Sequence, residues 1–168
     1  MLFNLKIEIM NGAHFHILVN HFPIIGVIFG LLILIGGLIL KNNSIKNTAY
    51  CLFIVSAIFG FISMYSGEGA EELVEDMPTV GRQIIHEHEE LAEKFALVLY
   101  ATGFFSILAF VTSLKNSKFA KILALITLLL SVLTTILSVN VGISGGEVRH
   151  TEIRKNTIFI QESIERPE

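Results

Sequence analysis

The sequence predicts an all-α integral membrane protein, a four-helix bundle running up-down-up-down. Three observations lead there. Of 168 residues, 52% are hydrophobic and 16% charged, against about 25% charged in a soluble domain. The apolar residues gather in four blocks, each matching the roughly 20 residues a helix needs to cross a bilayer core. The links "KNNSIK" and "KNSKFAK" are short, so the spans they join must run antiparallel as hairpins.

The spans are expected near His21–Leu40, Lys46–Ser66, Phe95–Leu114 and Phe119–Ile143. Backbone groups find no water in lipid, so each span must be helical. The length suits one domain over 1–168 and no second soluble one. The N-terminus carries Lys6 and Glu8, and its first apolar segment runs about 20 residues with no small-x-small cleavage site. It reads as a retained membrane anchor.

The first span is expected to start around "NHFP", with Asn20 as N-cap and Pro23 in the first turn. A start before His14 would make Pro23 a kink instead. Gly26 and Gly30 form a GxxxG step that lets a neighbouring helix approach. The second span runs into "SMYSGEGAEELVED", where Ser63, Ser66, Gly67 and Gly69 keep the corner narrow. The acids from Glu68 to Asp76 read as a solvated turn within an outer loop, 67–94, and could also attract a cation. The third helix is expected from Thr79 onward, after a break at Pro78, and so extends beyond the membrane. Along it His88, Ala92, Ala96, Leu99 and Gly103 share one face, which points His88 into the bundle. His86 shares a more polar face with Glu90, Glu93 and Tyr100 and reads as a solvated or salt-bridged bystander. After the fourth span, Gly142, Gly145 and Gly146 permit either a tight turn folding His150 back over the bundle mouth or a plain flexible exit into the tail, 144–168.

Charge separates the two ends. The short links hold Lys41, Lys46, Lys115, Lys118 and Lys121 and no acid, while every acidic residue lies on the other side. The positive-inside rule then predicts cytoplasmic links and both chain ends outside a bacterial inner membrane, although Arg149, Arg154 and Lys155 pull the other way. The net charge of −3 suggests no nucleic-acid partner. The lone Cys51 excludes an internal disulfide and a CxxCH haem attachment, and reads as a small buried hydrophobe. All six histidines, His14, His16, His21, His86, His88 and His150, fall on the predicted outer side.

"HILVNHFPIIG" resembles the first span of a family of small bacterial four-helix membrane proteins, domain-of-unknown-function family 2231, which begins with a motif like HPxxVHFP. His16, His21, Phe22 and Pro23 match, while Ile17 replaces the usual proline and Asn20 precedes the second histidine. The "SGEG" corner, "HEELA" at 88–92 and the "GGE" turn before His150 are similar too. The resemblance implies no defined activity, but such proteins are often suspected of a redox role near respiratory cytochromes.

The histidines admit three functions. The first is a b-type cytochrome-like electron carrier, with haem b held by imidazoles from facing helices. His21 and His88 would be inner ligands, since the first and third helices are diagonal in such a bundle. Phe22, Phe95, Phe104 and Phe105 would suit a porphyrin face. His16 or His14 with His150 would be outer ligands or hold a second haem, and Asn20, Glu89 or backbone carbonyls would support the rings. Quinol and an outer-side respiratory cytochrome would be the redox partners. The second function is a transition-metal site built from His21, His88, His16 and His150 with nearby carboxylates, although no HExxH or ExxH spacing is present. The third is an accessory subunit without a cofactor, whose histidines pack, cap helices or sense pH. No serine or cysteine sits near the histidines in a triad pattern, so hydrolysis has no support, and a stand-alone enzyme is the lesser expectation.

Overall fold

The computed structural model describes residues 12–74 and 80–154. The chain forms α1 (Gly12–Val19), α2 (His21–Ile39), α3 (Asn43–Val74), α4 (Arg82–Leu114), α5 (Ala120–Arg149) and a 3-10 turn (Thr151–Ile153). α1 and α2 together make one span of 28 residues, and the other three helices run 32, 33 and 30 residues. All four spans are long and apolar enough to cross a membrane, so this is a multi-pass membrane protein. The described residues contain no strand.

α2 packs on α3, α3 on α4, α4 on α5, and α5 back on α2. The first and third spans therefore lie across one diagonal, and the second and fourth across the other. Each hairpin closes with the same helix stop. Lys41 and Asn116 both take the left-handed region, with φ of 52° and 48°. Around Lys41, the Asn42 and Lys41 N–H groups donate to Gly37 and Leu38 carbonyls at 3.0 and 3.2 Å. Around Asn116, Ser117 and Asn116 donate to Thr112 and Ser113 at 2.9 and 3.2 Å. This paired pattern satisfies the last carbonyls of α2 and α4 and reverses the chain within a few residues.

The bundle is built the way lipid demands. Large apolar side chains such as Leu32, Phe61, Leu97 and Leu129 point outward, while among the described residues the fully buried polar ones are Ser and Thr. The GxxxG step works as expected. A Cβ on Gly26 would overlap Ser56 Oγ, and one on Gly30 would lie 2.6 Å from Phe53 Cε1. Only glycine lets α3 come this close. Val27, Leu34, Tyr50, Phe53 and Leu99 are fully buried around that contact.

Several expectations are corrected. α2 begins at "NHFP" as expected, with Asn20 at the N-cap position and a buried Pro23 in the first turn, but another helix, α1, precedes it from Gly12. Pro23 has no N–H to offer the Val19 carbonyl one turn back, and the helix is interrupted at Asn20. Asn20 makes no side-chain cap bond. α3 does not end at Ser66 but continues to Val74, so the acids from Glu68 to Glu72 are helical. Gly12 docks on this extension, where a Cβ would sit 2.8 Å from the Gly69 carbonyl. α5 likewise runs through Gly142, Gly145 and Gly146 to Arg149, and no described glycine has positive φ. These glycines serve close approach by a neighbour instead of a turn. Cys51 lies exposed on the outward face and is not a core residue. The expected start at Thr79, the break at Pro78, Glu75, Asp76 and the tail from 155 lie outside the described residues.

Candidate functional site

The start of α1, the last turns of α3, the start of α4 and the end of α5 meet at one end of the bundle, opposite the lysine-bearing turns. Two half-buried imidazoles occupy it, His16 from α1 and His88 from α4. They come from diagonal spans, yet the rings are near enough to interact electrostatically.

Each ring rests on a Ser-Gly pair of the following helix. His16 Nδ1 lies 3.1 Å from Ser66 Oγ and 3.1 Å from the Ser63 carbonyl, with Gly67 directly beneath it, where a Cβ would be 3.7 Å from Cε1. His88 Nδ1 lies 2.8 Å from Ser144 Oγ. A Cβ on Gly145 would reach 3.1 Å from its Cε1, so no larger residue fits without moving the ring.

These contacts assign the tautomer of His16. A carbonyl only accepts, so His16 Nδ1 carries the proton. Ser66 Oγ also reaches the Ser63 carbonyl at 3.0 Å, and Ser144 Oγ the Val141 carbonyl at 3.1 Å. His16 therefore donates from Nδ1 and keeps the lone pair on Nε2, the atom left to bind something. His88 is held through the same nitrogen by a hydroxyl, which can accept from the ring or donate to it.

The hairpin arms explain why these residues meet. Lys41 stands 25 residues after His16 and 25 before Ser66; Asn116 stands 28 after His88 and 28 before Ser144. Equal arms of about 40 Å, at 1.5 Å per residue, bring each histidine level with its serine. The chain is thus two hairpins of one design: His-x-His on the first arm at 14–16 and 86–88, a left-handed stop, and Ser-Gly on the second arm at 66–67 and 144–145. That repetition was legible in the sequence, and it is the signal that would have found Ser66 and Ser144.

The other candidates are placed differently. His21, expected as an inner residue, is exposed. It donates from Nδ1 to the Ile17 carbonyl at 3.1 Å and lines an outward recess with His14, Ile17, Leu18, Phe22 and Ile25. It remains within electrostatic reach of His16. The inward residue of this segment is His16, expected at the outer level. His150 leaves the end of α5 exposed and pairs with Glu152 at 2.9 Å. That hydrogen bond, after one from its own backbone, holds the Glu152 carboxyl below the usual range. The chain does fold back here, but through Arg154, whose guanidinium caps the Glu147 and Val148 carbonyls at 2.8 and 3.2 Å. His86 is exposed beside Glu90 at 3.4 Å. Glu89 turns toward His86 and Glu71. Of the phenylalanines, Phe95 is buried, while Phe22 stacks on Phe59 at 4.7 Å and Phe104 faces outward.

Asn20, expected to cap a helix and back a ring, has its Oδ1 buried without a hydrogen-bond partner. Among the described residues, no three His, Cys, Asp or Glu side chains converge as a metal-holding group. Comparison with protein families, with curated proteins and with solved structures finds no match.

Proposed function

We propose that this protein is a small b-type cytochrome-like carrier in which His16 and His88 are the axial ligands of haem b. The observation that carries the reading is the pair of diagonal, half-buried imidazoles, both anchored through Nδ1, which leaves Nε2 of each as the nitrogen for a ligand. The donor set fits this group better than a bare ion. Two imidazoles complete haem iron, whose porphyrin brings the other ligands, whereas zinc wants at least three protein ligands. Asn20 adds a buried acceptor that needs a partner on the same segment. When bound, the haem supplies a one-electron iron couple. The serines and the Ser63 carbonyl hold the rings in orientation and raise their basicity by accepting the Nδ1 protons. Packing on α3 and α5 half-buries both rings.

The working position follows from charge. With the lysine-bearing turns in the cytoplasm, the histidine end lies at the outer face of a bacterial inner membrane. Electrons would pass there between quinol in the lipid and a respiratory cytochrome, the setting that the resemblance to family 2231 also implies.

Oxidised and reduced absorption spectra of protein from native membranes test this. The expected result is a sharp Soret band with resolved visible bands on reduction. His16→Ala and His88→Ala abolish it, and His86→Ala leaves it nearly intact. Loss in His21→Ala with retention in His16→Ala would return the ligand role to His21. A colourless protein carrying stoichiometric zinc or copper would favour the metal reading. Neither haem nor metal would leave the cofactor-free accessory subunit.

A further inference from the structure

α5 turns a row of hydroxyls toward the bundle interior. Thr127, Ser131, Thr134, Ser138 and Ser144 are all buried at helical spacing, with Val141 the one apolar residue among them. α4 faces this row with Thr102, Ser106 and Ser113, also buried. The two helices join where Thr102 Oγ1 meets Thr134 Oγ1 at 2.7 Å. One end of the row is Ser144, at the histidine end. The other is Ser113, three residues before the Asn116 turn.

Small hydroxyl residues also serve close helix packing in membranes. Most hydroxyls of the row rest on their own helix: Ser106, Ser131, Thr134 and Ser138 each donate to a carbonyl three or four residues back at 2.7 to 2.8 Å. Thr127 and Ser113 break this pattern. Thr127 is 0% exposed and Ser113 8%, and neither hydroxyl has a hydrogen-bond partner. Asn47 Oδ1, near the start of α3 at the same lysine-bearing end, is buried and unpartnered as well. Polar groups at membrane depth must be satisfied, and buried groups without a protein partner are those that internal water serves.

We propose that the α4–α5 hydroxyl row, hydrated at Thr127 and Ser113, is a proton path between the lysine-bearing and histidine-bearing ends of the bundle. Water and hydroxyl oxygens both donate and accept. A proton arriving at one oxygen can therefore release another from its far side, with no net chemical change along the row. Among the described residues, the buried polar ones include no carboxylate or lysine to hold the charge midway. The Thr102–Thr134 contact is the critical link: it joins the two helices oxygen to oxygen, and a proton crosses when one hydroxyl turns from its own-helix carbonyl, Val98 or Leu130, onto the other. The path stands apart from the haem reading and does not need it.

The test uses purified full-length protein in phosphatidylcholine–phosphatidylglycerol vesicles with a trapped pH dye. A potassium gradient with valinomycin drives proton entry. Wild-type vesicles should acidify several-fold faster than protein-free ones. Thr127→Val and Thr134→Val keep the side-chain shape but remove the oxygen, and should fall to the protein-free rate. Thr135→Val should conduct like wild type, because Thr135 donates to the Ser131 carbonyl and is only half-buried. Wild-type flux at the protein-free rate overturns the path, and so do valine variants that conduct normally. If a valine variant does not fold to a monodisperse species, Ser131→Ala and Ser113→Ala carry the same decision.

Discussion

His88 Nδ1 sits 2.8 Å from Ser144 Oγ, and the same Oγ lies 3.1 Å from the Val141 carbonyl. The serine holds the ring through Nδ1, and this sets Nε2 as the nitrogen turned away from it. His16 meets the same arrangement at Ser66, with the Ser63 carbonyl as a second acceptor. The two seats differ in redundancy: His16 keeps an acceptor if its serine is lost, whereas His88 has only the serine among its described hydrogen bonds.

Ser144→Ala should therefore weaken cofactor binding about tenfold or more, the usual effect of removing a partner that orients a ligand. Ser66→Ala should cost less, because the Ser63 carbonyl still holds the Nδ1 proton. Haem titration into the apoprotein, followed by Soret absorbance, compares the two. Equal losses would show that the carbonyl at 3.1 Å contributes nothing.

The glycines under the rings predict a second contrast. At Gly145 a Cβ would press on His88 at 3.1 Å, while at Gly67 it would meet His16 at an ordinary 3.7 Å. Gly145→Ala should displace the His88 ring and lower occupancy or shift the reduced bands. Gly67→Ala should leave both near wild type. Neither glycine has positive φ, so alanine brings no backbone strain at either position, and it favours a helix by about 1 kcal/mol. Reduced-minus-oxidised spectra of the two variants read the outcome, and an unperturbed Gly145→Ala protein would contradict the close seat.

Orientation is tested by labelling in a background lacking Cys51. Cysteines at Asn43 and Asn116, beside the lysine-bearing turns, should resist an impermeant thiol reagent in intact cells. A cysteine at Gln83, exposed near the start of α4 at the histidine end, should react. The reverse pattern would put the histidine end in the cytoplasm and remove the outer-face electron-transfer reading.

The sequence by itself determined the class, the four spans, the hairpin order and the gathering of histidines at one end. These follow from composition, block length and short links, which act along the chain and need no knowledge of neighbours. It also predicted the inward stripe from His88 to Gly103, because a 3.6-residue period settles which residues share a face. Tertiary structure alone decided how far the helices run and which ring turns inward. Gly67, Gly145 and Gly146 look like helix ends in isolation, yet they lie within helices that continue past them, because packing against a neighbouring ring or helix outweighs a modest local propensity. His16 and His21 stand five residues apart on a segment interrupted only at Asn20. A turn of 100° per residue sets their rings on different faces, so both cannot point inward at once. Which of them does so is settled by the Ser66–Gly67 seat that α3 brings alongside, a whole hairpin away in the chain.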